Sequence, residues 1–146
     1  AASDVYKRQE LQPVAQTASG GEISRLMLCI KAMIAGFTAL PAIIFDEVDT
    51  GVSGDIADKM GDIMQELGTK MQVFAITHLP QIAAMADSHF EIEKQVEGTK
   101  TTTQIHPLDE EASIRELARL LGGAQITGAV LENAREMKKL ARECKA

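Results

Sequence analysis

The chain has 146 residues, 45% of them hydrophobic and 25% charged, the balance of a globular domain large enough for a real core. A formal charge of −6 excludes a binder held to nucleic acid by a broad basic surface, and aromatics at 3% leave the core to Ile, Leu, Met, Val and Ala. Cys29 and Cys144 stand far apart with no C-x-x-C, which excludes a disulfide framework or a zinc site. No apolar run reaches the roughly 18 residues of a membrane span. No signal-peptide pattern is present either, so the expected compartment is the cytoplasm.

Ser3 to Gln9 resembles the in-frame translation of a transposon-end adapter, so residues 1–9 are expected to be a non-native tail, with native sequence from near Glu10. Thr17-Ala18-Ser19-Gly20-Gly21-Glu22 then opens a helix. Ser19 and Glu22 have the S-x-x-E spacing of a capping box, in which each side chain satisfies a backbone N–H of the other residue. The glycines between them are poor helix formers, costing about 1 kcal/mol each relative to Ala in a helix interior. A plain cap does not need them, whereas bare backbone at the positive end of a helix suits a phosphate that must come close. An ordinary capped helix after a Gly turn is the alternative. From Ile23, the residues Ile23, Leu26, Met27, Ile30, Met33, Ile34 and Phe37 recur at i, i+3, i+4 spacing, which predicts a helix with one buried face. Gly36 and Pro41 bracket its end, and Cys29 within it is expected to be inert packing.

Ala42 to Phe45 is a continuous apolar run, expected to be a parallel strand covered on both faces, and it ends in Asp46-Glu47. In the turn-rich stretch that follows, Ser53 is placed to cap a second helix, with Ile56, Met60, Ile63, Met64 and Leu67 inward and a stop at Gly68. Val73 to Ile76 is a second buried strand, leading through Thr77-His78 to a short helix that Pro80 begins. His89 to Glu93 and Thr101 to Ile105 read as an antiparallel pair near the sheet edge, joined around Glu97-Gly98. Ile114, Leu117, Ala118 and Leu121 then form a helical stripe. After Gly122-Gly123, Thr127 caps a last helix with Val130, Leu131, Ala134, Met137 and Ala141 inward. Its last turns carry Arg135, Lys138, Lys139, Arg142 and Lys145 interleaved with Glu132, Glu136 and Glu143, a mixed solvated face. Strands alternating with helices give an α/β class, a mainly parallel sheet flanked by helices.

The carboxylates of Asp46 and Glu47, at the C-terminal end of a buried strand, lie where open α/β sheets gather ligands. One can hold Mg²⁺ while the next polarises an attacking water, although a D-E pair after a strand is also common as plain structure. His78, just past the next strand, belongs to the same edge. A neutral imidazole there can hydrogen-bond a transferring phosphoryl group or the water; a loop histidine satisfied by backbone is the alternative.

Taken in order, S-G-G-E capping a helix, a strand ending in D-E, a D-x-G-x-S-G loop and a strand ending in T-H resemble the C-terminal half of an ABC-type (P-loop NTPase-like) ATPase head. They correspond to its signature, Walker B, D-loop and H-loop. More narrowly, TASGGEISRLMLCIKA, IIFDEVDTGVSG, FAITHLPQIAAMADSHFEIEK and ELARLLGGAQIT are similar to the RecN family of bacterial DNA-repair proteins, relatives of the structural-maintenance-of-chromosomes (SMC) proteins. The resemblance runs from about Leu11 to the C-terminus. It implies that Ser19, Gly20, Gly21 and Glu22 form the signature that touches the γ-phosphate of ATP held by the opposite subunit. It implies that Asp46 holds Mg²⁺, that Glu47 activates water, and that Asp49, Gly51 and Ser53 form a D-loop crossing the dimer interface. His78 becomes the switch histidine that senses the γ-phosphate.

ATP as substrate, Mg²⁺, a head-to-head homodimer and DNA, reached through the full-length protein, are the implied partners, with no membrane. The implied activity is ATP hydrolysis in double-strand-break repair and recombination, in the cytoplasm at the bacterial nucleoid. No G-x-x-x-x-G-K-[ST] occurs in the sequence, and the family's Q-loop and coiled-coil arms lie upstream. Residues 10–146 are therefore expected to be the C-terminal half of such a head, inactive alone, with apolar surface and a strand edge uncovered. Two alternatives belong to other classes: the nucleotide-binding subunit of a transporter, and a non-catalytic half-head that docks on a partner's nucleotide. VDTGVSG and the ARLLGG tail favour the repair family, and intact Glu47 and His78 favour catalysis.

Overall fold

The computed structural model describes residues 18–35, 40–98 and 100–143. The tail expected at residues 1–9, the helix stop at Gly36, Phe37, Cys144 and Lys145 lie outside the described residues. Helix α1 (Gly20–Ala35) leads to strand β1 (Ala42–Asp46), helix α2 (Asp55–Gly68) and strand β2 (Gln72–Ile76). The two strands pair in parallel, Ile44 beside Phe74 and Asp46 beside Ile76, with α2 as the crossover that parallel pairing requires. Helix α3 (Pro80–Ala84) starts with Pro80 in its first turn, as expected. Strands β3 (Phe90–Glu97) and β4 (Lys100–Pro107) follow as an antiparallel hairpin, then helices α4 (Glu110–Gly122) and α5 (Gly128–Glu143).

Two cores hold these elements. Leu28 and Ala35 of α1, Ile43 and Phe45 of β1, Ala57, Met60, Met64 and Leu67 of α2, and Ile82 of α3 make the first. The Lys31 ammonium lies 5.8 Å from the centroid of the buried Phe45 ring, a cation–π contact that helps seat α1 on β1. Ala83 and Ala84 of α3 join Leu117 and Ala118 of α4 and Ala134 and Ala141 of α5 in the second. The short α3 thus links the cores, giving Ile82 to one and its next two residues to the other. Thr127 caps the last helix as expected, accepting from the Val130 N–H at 3.4 Å, and the structure adds Asp109, which caps α4 by accepting from the Ala112 N–H at 2.8 Å.

Burial and capping correct several expectations. The α1 stripe of Leu26, Met27, Met33 and Ile34 is exposed, Met33 by 62%, while Leu28 and Ala35 on another row are buried. Both rows satisfy helical spacing, and the second carries the small Gly21, Ala32 and Ala35, with Gly21 closely against the turn after β1 and the alanines in the core. Cys29 lies off that packed row and is exposed, not packed. Strand β1 is covered on one face only: Ile43 and Phe45 are buried, but Ile44 is 61% exposed beside the exposed Phe74 and Ile76. This agrees with the expectation of uncovered apolar surface and overturns two others, that β1 is covered on both faces and that β2 is buried, since Gln72–Ile76 has no buried residue. Ser53 makes no cap. Helix α2 starts after Gly54 (φ 56°) with no side-chain cap, and Asp55 and Asp58 supply negative charge to its positive end instead. The hairpin forms a sheet of its own, paired from Phe90–Pro107 to the turn, and does not extend the β1–β2 pair.

Phe45→Ala should lower the unfolding free energy by about 3–5 kcal/mol, since it removes a buried ring from the first core. Met33→Ala, on the exposed row, should change it by less than about 0.5 kcal/mol. Urea unfolding of both variants checks which row of α1 is packed.

Candidate functional site

Three short segments meet at the C-terminal edge of the β1–β2 pair, namely the start of α1, the turn after β1 and the loop after β2. Asp46 and Glu47 are both exposed there. The Glu47 N–H donates to the Ile76 carbonyl at 3.0 Å, which carries the parallel ladder one residue past β1. Glu47 then adopts φ 46°, the left-handed region that a side chain disfavours. Its carbonyl accepts from the Thr50 N–H at 3.3 Å and the Thr50 hydroxyl at 2.9 Å, so the turn holds the strain in place. Non-glycine residues held this way cost roughly 1–3 kcal/mol and cluster at functional sites.

Asp49, in the same turn, is fully buried. Its Oδ2 accepts from the Thr77 hydroxyl and, at 3.3 Å, from the His78 N–H. The same oxygen lies 3.6 Å from His78 Nδ1, while Oδ1 is buried without a hydrogen-bond partner. The Thr77 hydroxyl also accepts from the Leu79 N–H at 3.0 Å, which fixes its direction. The Asp49 side chain turns into its own chain and ties the turn after β1 to the loop after β2. Gly51 (φ 72°) and Ser53 are exposed and form the outward part of that loop.

The capping box at the start of α1 forms as its spacing predicts. The Ser19 N–H and hydroxyl each donate to Glu22 Oε2 at 2.8 Å, and the Glu22 N–H donates to Ser19 Oγ at 3.3 Å. The backbone and then the hydroxyl bond from Ser19 hold the Glu22 carboxyl below its usual range, with a smaller contribution from Arg25. Glu22 is therefore occupied with Ser19. The two glycines differ. A Cβ on Gly20 would meet nothing within 4 Å, so its backbone is bare toward the outside. A Cβ on Gly21 would lie 2.6 Å from the Thr50 carbonyl oxygen, so Gly21 is required by the packing of α1 against the turn after β1.

Sequence reasoning thus placed Asp46, Glu47 and His78 at one edge, and the structure brings the start of α1 there as well. It missed Thr77 as the partner of Asp49, although the T-H dipeptide was in view. Among the described residues no group of three or more His, Cys, Asp or Glu side chains is placed to hold a metal. Asp46 fits a Mg²⁺ that arrives with phosphates, which takes only one or two protein carboxylates, better than a cation caged by protein alone.

A second constellation lies in a cleft of about 330 Å³ between the base of the hairpin and the last two helices, lined in part by His89, Asp109, Lys138 and Arg142. His89 Nδ1 is 2.8 Å from the hydroxyl of the buried Ser113, and Lys138 donates to the same oxygen. Burial, then the charge of Lys138, lowers the His89 pKa; burial, then Arg142, lowers that of Lys138. With its hydroxyl enclosed, Ser113 serves as a latch holding His89, the residue before β3, to α4 and α5, reinforced by Arg142–Glu110 at 2.8 Å. The partners lie 24 and 25 residues from Ser113, so no local pattern announces the latch.

The fold is that of an SMC ATPase head. A solved structure described as structural biochemistry of ATP-driven dimerization and DNA stimulated activation of SMC ATPases matches 81% of this chain and 70% of its own, with a TM-score of 0.57 at 19% identity. Over most of its length the segment present here is similar to the DNA repair protein RecN. It is 48% identical over 129 residues to that protein from Vibrio cholerae, covering 88% of this chain and 23% of the relative. Against the Bacillus subtilis protein it is 40% identical over 137 residues (94% and 24%), and against that of Rickettsia prowazekii 42% over 131 residues (90% and 23%). The chain therefore spans about a quarter of the length of the curated relatives it matches. No family model matches the chain.

Gly21→Ala should lower the unfolding free energy by about 1–3 kcal/mol, because the new methyl meets a backbone carbonyl. Gly20→Ala should raise it, by up to about 1 kcal/mol, because the site is open and Ala favours the helix. Denaturant unfolding of the two variants separates packing from ligand-related glycine. At the latch, a depressed His89 pKa means that the unfolded chain takes up the proton first as pH falls through about 6.5. Stability is therefore full above that pH and is lost below it. His89→Asn should flatten this decline between about pH 7.5 and 5.5 in urea midpoints measured at each pH.

Proposed function

We propose that this chain supplies half of the ATP-hydrolysing machinery of a RecN-type DNA double-strand-break repair protein. The carrying observation is the meeting of the α1 N-terminus, the Asp46–Thr50 turn and the Thr77-His78 loop at one sheet edge, joined by Asp49 and by Gly21 against Thr50. In this reading Asp46 would hold Mg²⁺, whose charge offsets that building on the phosphate oxygens. Glu47 accepts the proton of the attacking water, and its constrained turn fixes where that carboxylate stands. His78, half open to solvent, meets the terminal phosphate or the water on it. Ser19 and the bare backbone of Gly20, at the positive end of a 16-residue helix, are offered to the nucleotide of a partner head. Gly51 and Ser53 face the same interface.

The sequence holds no P-loop, so the cradle for the β- and γ-phosphates belongs to another part of the longer protein, and this segment alone does not turn ATP over. The open row of α1 and the bare face of β1–β2 are the surfaces that part would cover. Two heads meeting face to face, ATP between them and DNA as the regulated partner complete the reading, which the RecN relatives support over a transporter subunit. No described helix is long and apolar enough to cross a membrane.

In the full-length protein, Glu47→Gln should lower kcat for ATP by about a hundredfold or more, because it removes the base. Mg-ATP binding should stay within a few-fold, because Asp46 is untouched. Phosphate release and equilibrium nucleotide binding measure the two effects, and rapid turnover by the variant would exclude Glu47 from the role.

A further inference from the structure

The loop that carries Asp49 is read above as part of an interface, yet its carboxylate faces the other way. A buried carboxylate is costly unless something close by uses its charge. Among the described residues, the ionisable group paired with it within 4.0 Å is His78, with Nδ1 at 3.6 Å. The Thr77 hydroxyl and the His78 backbone N–H both bind the same oxygen, Oδ2, so the carboxylate is aimed at the histidine and cannot swing away. The His78 side chain is nevertheless 61% exposed, so the ring stays open to solvent while Nδ1 lies beside the buried carboxylate.

We propose that Asp49 is a positioning residue for His78: its buried carboxylate favours the tautomer with the proton on Nδ1 and holds the ring with Nε2 facing the sheet edge. A negative charge beside one ring nitrogen draws the proton there, so the other nitrogen is left as a hydrogen-bond acceptor. That form receives a hydrogen bond from a water poised at a terminal phosphate. The same turn presses its Thr50 carbonyl on Gly21, so the start of α1 and the ring of His78 are referenced to one another through two consecutive residues, Asp49 and Thr50. The inference rests on the reading of His78 as the group that meets the phosphate or its water.

The test uses the full-length protein labelled with ¹⁵N-histidine. Asp49→Asn keeps an acceptor for Thr77 but removes the charge. It should shift the two His78 ring nitrogens away from the Nδ1–H pattern. It should also lower kcat about tenfold, with KM for Mg-ATP within about twofold. Added to His78→Ala, it should cause no further loss. Thr77→Val, which keeps the charge and only loosens its aim, should shift the ring nitrogens in the same direction by less, and Thr77→Ser should restore them. Unchanged ring nitrogens in Asp49→Asn and Thr77→Val, or a loss of kcat that multiplies with that of His78→Ala, would overturn the assignment. If His78→Ala leaves kcat intact while Asp49→Asn still moves the ring signals, the positioning stands and the role given to His78 fails.

Discussion

A single buried carboxylate sets the arrangement of the sheet edge. Asp49 lies in a turn that begins with a residue in the left-handed region, and it reaches 28 residues along the chain to the Thr77 hydroxyl. Local turn chemistry brings it close: the Glu47 carbonyl collects two bonds from Thr50, and the Asp49 carbonyl takes the Val52 N–H at 3.0 Å. The parallel register brings the other side, since Asp46 stands beside Ile76 and the residues after each must be neighbours. Removing the carboxylate would leave the Thr77 hydroxyl and the His78 backbone N–H without this acceptor, a loss larger than that of the bonds alone where the groups stay shielded from water.

Around this tie, the chain builds two small cores of different character. The first packs Phe45, Leu28 and three methionines against one face of a two-stranded sheet. The second is lined largely by alanines, which lets α3, α4 and α5 lie close, and it is closed by the Ser113 latch and the Arg142–Glu110 pair. Because α3 gives Ile82 to one core and Ala83 and Ala84 to the other, the loop bearing His78 is anchored to both just past Pro80. The edge is thus held from beneath by the sheet and from one side by the helical layer.

What the sequence made legible was whatever depends on neighbours in the chain. S-x-x-E spacing guaranteed a capping box, the apolar runs were strands, and Pro80 and Thr127 marked helix starts. The order of motifs along the chain pointed to the right fold and to the proteins the chain resembles. What stayed hidden depended on long-range packing. The residues of α1 offer two rows of helical spacing, and only contact with β1 decides that the row with Gly21, Leu28, Ala32 and Ala35 goes inward. Gly21 looked like a ligand-facing glycine because the Thr50 carbonyl that excludes its side chain is 29 positions away. Ser53 lost its cap because Gly54, with φ 56°, turns the chain there in a way that removes the hydroxyl from the helix end.

The bare face of the parallel pair and the outer row of α1 have a thermal consequence. Ile44, Phe74, Ile76, Leu26, Met27 and Met33 are all exposed, and covering such groups carries a large negative change in heat capacity. The drive to cover them near room temperature comes mainly from released water, so it weakens on cooling. Whatever seats on these faces, a longer stretch of the same polypeptide or another molecule, is held by a contact that fades in the cold. The Asp49 tie, made of hydrogen bonds within one chain, does not share that dependence, so chilling would uncover the faces while leaving the edge assembled.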